Sequence, residues 1–191
     1  MDRARRRPPE AGFGLTELLV VVALIGIVSG MAVLVTPIAL PGMRADGSTA
    51  QLTSLLKRAK ERAVSERRDM SMVIASPREV QIFRLATTAG GAPTLVDSVV
   101  LENNMRVSLT PGLPDTPDGF GNAAAADFGL ANSMIFRAEG VFTDEDDNLD
   151  PLNGTIFLSI RNEPLTARAV TIFGPTALIS SFRWDGVRWI D

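Results

Sequence analysis

The stretch Gly12-Phe13-Gly14-Leu15-Thr16-Glu17-Leu18-Leu19-Val20-Val21-Val22 places one carboxylate, Glu17, at the head of an apolar run. The run continues to Val35, interrupted only by Ser29 and the small residues Gly26 and Gly30. At ~1.5 Å per residue, and extended by Phe13, Leu15 and Ile38, such a run is expected to cross a ~30 Å hydrocarbon core. Arg3, Arg5, Arg6 and Arg7 precede it; cationic flanks keep an N-terminus in the cytoplasm and send the rest of the chain across. A secretory signal peptide has the same outline, but its apolar core is shorter and a small-x-small cleavage site follows it. Neither trait is present here. A plain signal anchor fits the run as well as any alternative. What an anchor does not need is Glu17, because an unpaired carboxylate in an apolar helix is costly and marks a functional position.

Taken in register, the glycine, the phenylalanine after it, the glutamate four residues further on and the apolar tail closely resemble the type IV prepilin motif. The resemblance implies cleavage between Gly12 and Phe13 by a prepilin peptidase and N-methylation of Phe13. It also implies that Glu17 pairs with the N-terminal amine of a neighbouring subunit, which neutralises a buried charge and fixes axial register. Gly14 and Thr16 carry no separate role. Further implied partners are other pilin or pseudopilin subunits and an inner-membrane assembly platform. The implied location is the bacterial inner membrane, single-pass, with the head in the periplasm until it enters a pilus or pseudopilus.

The remaining composition narrows the chemistry. The 191 residues leave room for one folded domain and a membrane segment. There is no cysteine and no histidine, which excludes disulfides, thiolate catalysis, a Ser-His-Asp arrangement and most zinc sites. No serine sits in a Gly-x-Ser-x-Gly context, so no enzyme activity and no cofactor is expected. The net charge is -3, with the arginine-rich start balancing a more acidic remainder. Such a balance disfavours nucleic acid, whose affinity comes largely from phosphate neutralisation.

Past the apolar run, Pro37, Pro41 and Gly42 are expected to break or kink the helix. Residues 47–69 read as an amphipathic helix capped by Ser48 or Thr49, with Leu52, Leu55, Leu56, Ala59, Ala63 and Val64 on the apolar stripe. Lys57, Arg58, Lys60, Glu61, Arg67 and Arg68 occupy its solvated faces. The period then changes to that of strands, expected at 70–75, 79–85, 94–101, 105–109, 133–136, 155–160, 167–173 and 178–184. Turn residues separate them, as at Ser76-Pro77, Asn103-Asn104 and Asp185-Gly186.

The expected fold is therefore α+β and pilin-like. A long N-terminal helix, membrane-spanning in its first half and amphipathic in its second, packs on an antiparallel β-sheet head. The expected divisions are a removed leader over 1–12, a transmembrane or filament-core helix over 13–40, the amphipathic helix over 41–69 and the head over 70–191. The segments Ala59 to Val64 leading into Met70 to Ile74, Met134 to Gly140, and Ala167 to Ile172 are similar to those of the minor pseudopilin H and fimbrial T group (GspH/FimT, type II secretion system protein H-like). Arg62, where the group commonly has an acid, and Phe173-Gly174-Pro175-Thr176 depart from it. The resemblance implies a minor subunit of a type II secretion pseudopilus or a type IV pilus, at the tip or in initiation.

Three other features invite readings. Residues 110–132, rich in Pro, Gly, Asp and Ala, form a long loop of the kind that is commonly functional or mobile. Asp144, Asp146 and Asn148 alternate as calcium ligands do, but Leu149 stands where an EF-hand needs glycine and Thr155 where it needs glutamate, so a solvated turn is the simpler reading. Arg161, Arg168, Arg183 and Arg188 with Trp184 and Trp189 make a basic-aromatic cluster. That cluster carries the alternative of a DNA-binding minor pilin for DNA uptake, against ordinary edge charge and core tryptophan. A single-span anchored protein unrelated to filaments is the remaining alternative.

Overall fold

Apolar residues at helical spacing followed by short alternating runs give one long helix and a set of antiparallel strands. The structure, a computed structural model, describes residues 14–88, 91–128, 134–144 and 150–191, with the side chains of 32–39 outside the description. The helix α1 runs from Leu15 to Glu66. It continues through Pro37 and Pro41, so of the break or kink expected there the break is absent, and the caps expected at Ser48 and Thr49 lie inside the helix. Thr49 instead donates its hydroxyl to the Ala45 carbonyl at 2.8 Å, and Ser48 to the Glu102 carbonyl at 3.3 Å. The chain divides into two compact units, Met1–Leu40 and Pro41–Asp191.

In the first unit, the expectation of a membrane-spanning helix is corrected. Among the described residues no helix is long and apolar enough to cross a membrane. The apolar side chains described cover residues 18–31, roughly 21 Å of helix at ~1.5 Å per residue, which falls short of a ~30 Å core. The transmembrane and single-pass inner-membrane assignments fall with it.

In the second unit, α1 leads into β1 (Met70–Ser76), β2 (Glu79–Arg84), β3 (Thr94–Val100), β4 (Met105–Val107), β5 (Ala126–Asp127), β6 (Met134–Phe136), β7 (Phe142–Thr143), β8 (Gly154–Ile160), β9 (Arg168–Phe173), β10 (Leu178–Trp184) and β11 (Trp189–Ile190). The strands form two antiparallel sheets, ordered β3-β2-β1-β6-β7 and β11-β10-β9-β8-β4, with β5 also paired to β8. The eight expected strands are all present within a few residues of their expected ends, while β5, β7 and β11 are additional.

One main core gathers Leu52, Leu55, Leu56, Ala59 and Ala63 of α1 against Met70, Met72, Val80 and Ile82 of the first sheet and Ile156, Leu158, Val170 and Ile172 of the second. Val64, expected on this stripe, is 47% exposed. A second cluster lies on the other side of the second sheet: Phe157, Ala169, Phe182, Trp184 and Trp189, with Leu109 and Leu113 packed on them. Alternate residues of β8 and β9 thus enter opposite clusters, because side chains of a strand point to opposite faces in turn. The chain between β4 and β5 covers the second face. Trp189 donates its indole N–H to the Pro114 carbonyl at 2.8 Å, Asp115 accepts from the backbone of Gly121 at 2.9 Å, and Phe157 donates to the Ala125 carbonyl at 2.7 Å.

Candidate functional site

Glu17 stands in the first turn of α1, where the Gly14 carbonyl accepts from the Glu17 and Leu18 backbone at 3.0 and 3.2 Å. A negative side chain there complements the positive end of the helix. The carboxylate is exposed, and so are the apolar side chains described over residues 18–31: Leu18 is 60% exposed, Ile25 59% and Met31 63%. A helix that is apolar all round is covered in its working state, because bare apolar surface of this extent marks a site of association. One acceptor-only group thus stands at the tip of an uncovered apolar cylinder. It can receive a cation, and the helix below it can receive other helices. Gly12 and Phe13, the expected cleavage and methylation residues, lie outside the described residues.

Within the second unit, Arg168 fixes the helix to the second sheet. It is 3% exposed and donates from Nε to the Asp46 carboxylate at 2.7 Å. Its two remaining nitrogens reach the carbonyls of Gly42 at 3.1 Å, Leu165 at 3.2 Å and Ala167 at 2.9 Å. The alternation of β9 explains the placement, since Arg168, Val170 and Ile172 share the face turned to α1. A second arginine, Arg137, joins the helix-to-β1 junction to the β6–β7 turn. It donates to Asp69 at 2.9 Å, to the Thr143 hydroxyl at 2.8 Å and to the Asp144 carbonyl at 3.1 Å. Asp69 also accepts from the Ala138 backbone at 3.0 Å. These two networks were not foreseen from sequence, although an arginine between the alanines Ala167 and Ala169 is itself an unusual residue for a buried strand.

The basic-aromatic cluster is not assembled. Trp184 and Trp189 are buried and meet edge-on with ring centroids 5.5 Å apart. Arg168 and Arg183 are cross-strand partners, Arg161 lies beyond the end of β8, and Arg188 is in the last turn, 4.0 Å from Asp185. With both indoles inside, no tryptophan platform remains on which bases could stack. In that last turn, backbone N–H groups of Arg188 and Val187 hold the Asp185 carboxyl below its usual range. Of the acidic-loop residues, Asp146 and Asn148 lie outside the described residues. Among the described residues no three metal-ligating side chains gather.

Comparison with known proteins gives a family-model match, the prokaryotic N-terminal methylation motif, over residues 7–33. It bears out the prepilin-like reading of the N-terminus. No curated protein matches the chain. Among solved structures, the type IV minor pilin FimU of Pseudomonas aeruginosa is 16% identical, over 71% of this chain and 90% of its own, with a TM-score of 0.46. The minor pseudopilin EpsH from the type 2 secretion system of Vibrio cholerae is 13% identical, over 73% of this chain and 97% of its own, also with a TM-score of 0.46. Likenesses this distant carry no argument of their own.

Proposed function

We propose that this chain is a structural subunit of a type IV pilin-like filament, a minor pilin or pseudopilin acting at the tip or in initiation of a type IV pilus or a type II secretion pseudopilus. The observation that carries the reading is Glu17, a lone exposed carboxylate in the first turn of an uncovered apolar helix, inside the methylation motif. In this reading a prepilin peptidase cuts between Gly12 and Phe13, and Phe13 becomes a methylated N-terminus. The apolar helix is then covered by the equivalent helices of neighbouring pilin or pseudopilin subunits, brought together by an assembly platform. Glu17 receives the amine of a neighbour, an ion pair whose strength grows as the helices exclude water around it.

The test is incorporation. Glu17→Gln removes the charge and keeps the size, and is expected to abolish recovery of the chain in sheared filaments or cross-linked subunit pairs while the second unit keeps its melting transition. Undiminished incorporation of Glu17→Gln would remove the role assigned to this carboxylate.

A further inference from the structure

Most arginines described in the second unit are spoken for: Arg58 pairs with Asp97, Arg84 with Glu66, Arg137 with Asp69 and Arg168 with Asp46, while Arg62, Arg68 and Arg78 donate to carbonyls. Arg106 and Arg161 have no hydrogen-bonding or charged partner among the described residues, yet both line one cleft of about 510 Å³. Its other walls are Pro77, Asn104, Val107, Ser108 and Asn162.

The strand register places the two arginines at one end of the second sheet. Arg106 lies opposite Ser159 across the β4–β8 pair, and Arg161 follows one residue past the end of β8. Arg161 and Asn162 turn the chain with left-handed backbone (φ 53° and 59°), as does Asn104 (φ 62°). The floor is held from within. The Ser108 and Ser159 hydroxyls are 2.6 Å apart, Ser159 donates to Asn162 Oδ1 at 3.3 Å, and Val107 donates its backbone N–H to the Pro77 carbonyl at 2.6 Å.

The charge of this cleft sets it apart. The other sizeable clefts described each include a carboxylate: Glu66 in one, Asp46 and Asp191 in another, Glu102 in a third. The Arg106–Arg161 cleft has none. In a chain of net charge -3, this cleft presents two solvent-exposed guanidinium groups and no carboxylate, which favours an anion over a cation there. Guanidinium forks match the paired oxygens of phosphate and carboxylate, and asparagine amides add neutral donors. A cleft of this volume lies in the range that holds small ligands.

We propose that this cleft binds a small dianionic oxyanion, a phosphate group or a short dicarboxylate, through Arg106 and Arg161 with the amides of Asn104 and Asn162. The site stands independently of the filament role. The test is titration of the full chain with inorganic phosphate, and separately with malonate, at constant ionic strength, following the arginine Nε–H resonances by NMR. Saturable shifts confined to Arg106 and Arg161 are expected with at least one of the two, and the anion that saturates at lower concentration identifies the source. Arg106→Gln and Arg161→Gln are each expected to weaken binding about tenfold or more, while Arg67→Gln, outside the cleft, leaves it unchanged. The proposal is overturned if neither anion gives a saturable shift, if Arg44 and Arg67 shift equally, or if binding survives in the double variant.

Discussion

At the scale of single residues, the most consequential side chain of the second unit is Arg168. It is buried, whereas its partner Asp46 remains half exposed. Removing the acid therefore strands a guanidinium that keeps only neutral carbonyl acceptors, and an uncompensated buried charge is costly. Asp46→Ala is expected to destabilise the fold by about 1–3 kcal/mol, read from the shift in a urea unfolding midpoint; no shift would show that the carbonyls suffice. Asp97 gives a pH-dependent counterpart. Partial burial raises its pKa, but the hydrogen bond and charge of Arg58, with the Ser98 backbone N–H and the charge of Arg62, outweigh this and hold the carboxyl below its ordinary 3.8. A depressed carboxyl pKa contributes stability above the unfolded value and loses it as pH falls through the folded value. The contribution of this pair is thus full above pH 3.8 and is lost as pH falls from there through the lower folded value. Because Arg58 is 48% exposed, its size is held to under about 1 kcal/mol. Arg58→Ala should narrow the gap in stability between neutral pH and acid, as thermal melts across that range would show. Glu17 was legible in the sequence because a charge in an apolar run stands out locally. Asp46 and Arg168 were not legible as a pair, because they lie 122 residues apart and meet only through the packing of α1 on β9.

At the scale of elements, the strands were legible where alternation ran for several residues, as in Val80-Gln81-Ile82-Phe83. The two-residue strands β5, β7 and β11 were not, since nothing so short has a period. Residues 110–132 read as loop because their Pro and Gly content marks turns. Their described part carries structure of a different kind, a cover for the outer face of β8 and β9 held by side-chain and backbone hydrogen bonds. The near-continuous burial of β8 is the counterpart of that cover. Trp189 is its anchor, packed on Trp184 and on Phe157 at a centroid distance of 6.1 Å. Trp189→Ala is expected to cost about 3–5 kcal/mol and to speed amide exchange of residues 110–128 ahead of β1 and β2. Uniform exchange across both sheets would show that the cover is not a separate layer. The continuation of α1 through Pro37 and Pro41 was also illegible: each proline removes one backbone hydrogen bond, a local penalty, and whether a helix tolerates it depends on the elements around it rather than on the proline.

At the scale of the whole molecule, the chain combines two solutions to the burial of apolar surface. The second unit buries its own, in a core shared by α1 and both sheets and in a smaller cluster under the β4–β5 segment. The first leaves the apolar side chains described over residues 18–31 bare, with Glu17 at their head. A unit of the first kind folds by itself; a surface of the second kind is completed by other molecules. The proposed maturation makes that division purposeful, since cutting after Gly12 creates a free amine four residues ahead of the carboxylate, and the carboxylate of one subunit can then pair with the amine of a neighbouring pilin or pseudopilin subunit. Intact mass of the chain, expressed with and without a prepilin peptidase, tests this most directly. Loss of residues 1–12 and one added methyl group on Phe13 are expected only when the peptidase is present; an uncut chain in both preparations would overturn the proposed maturation.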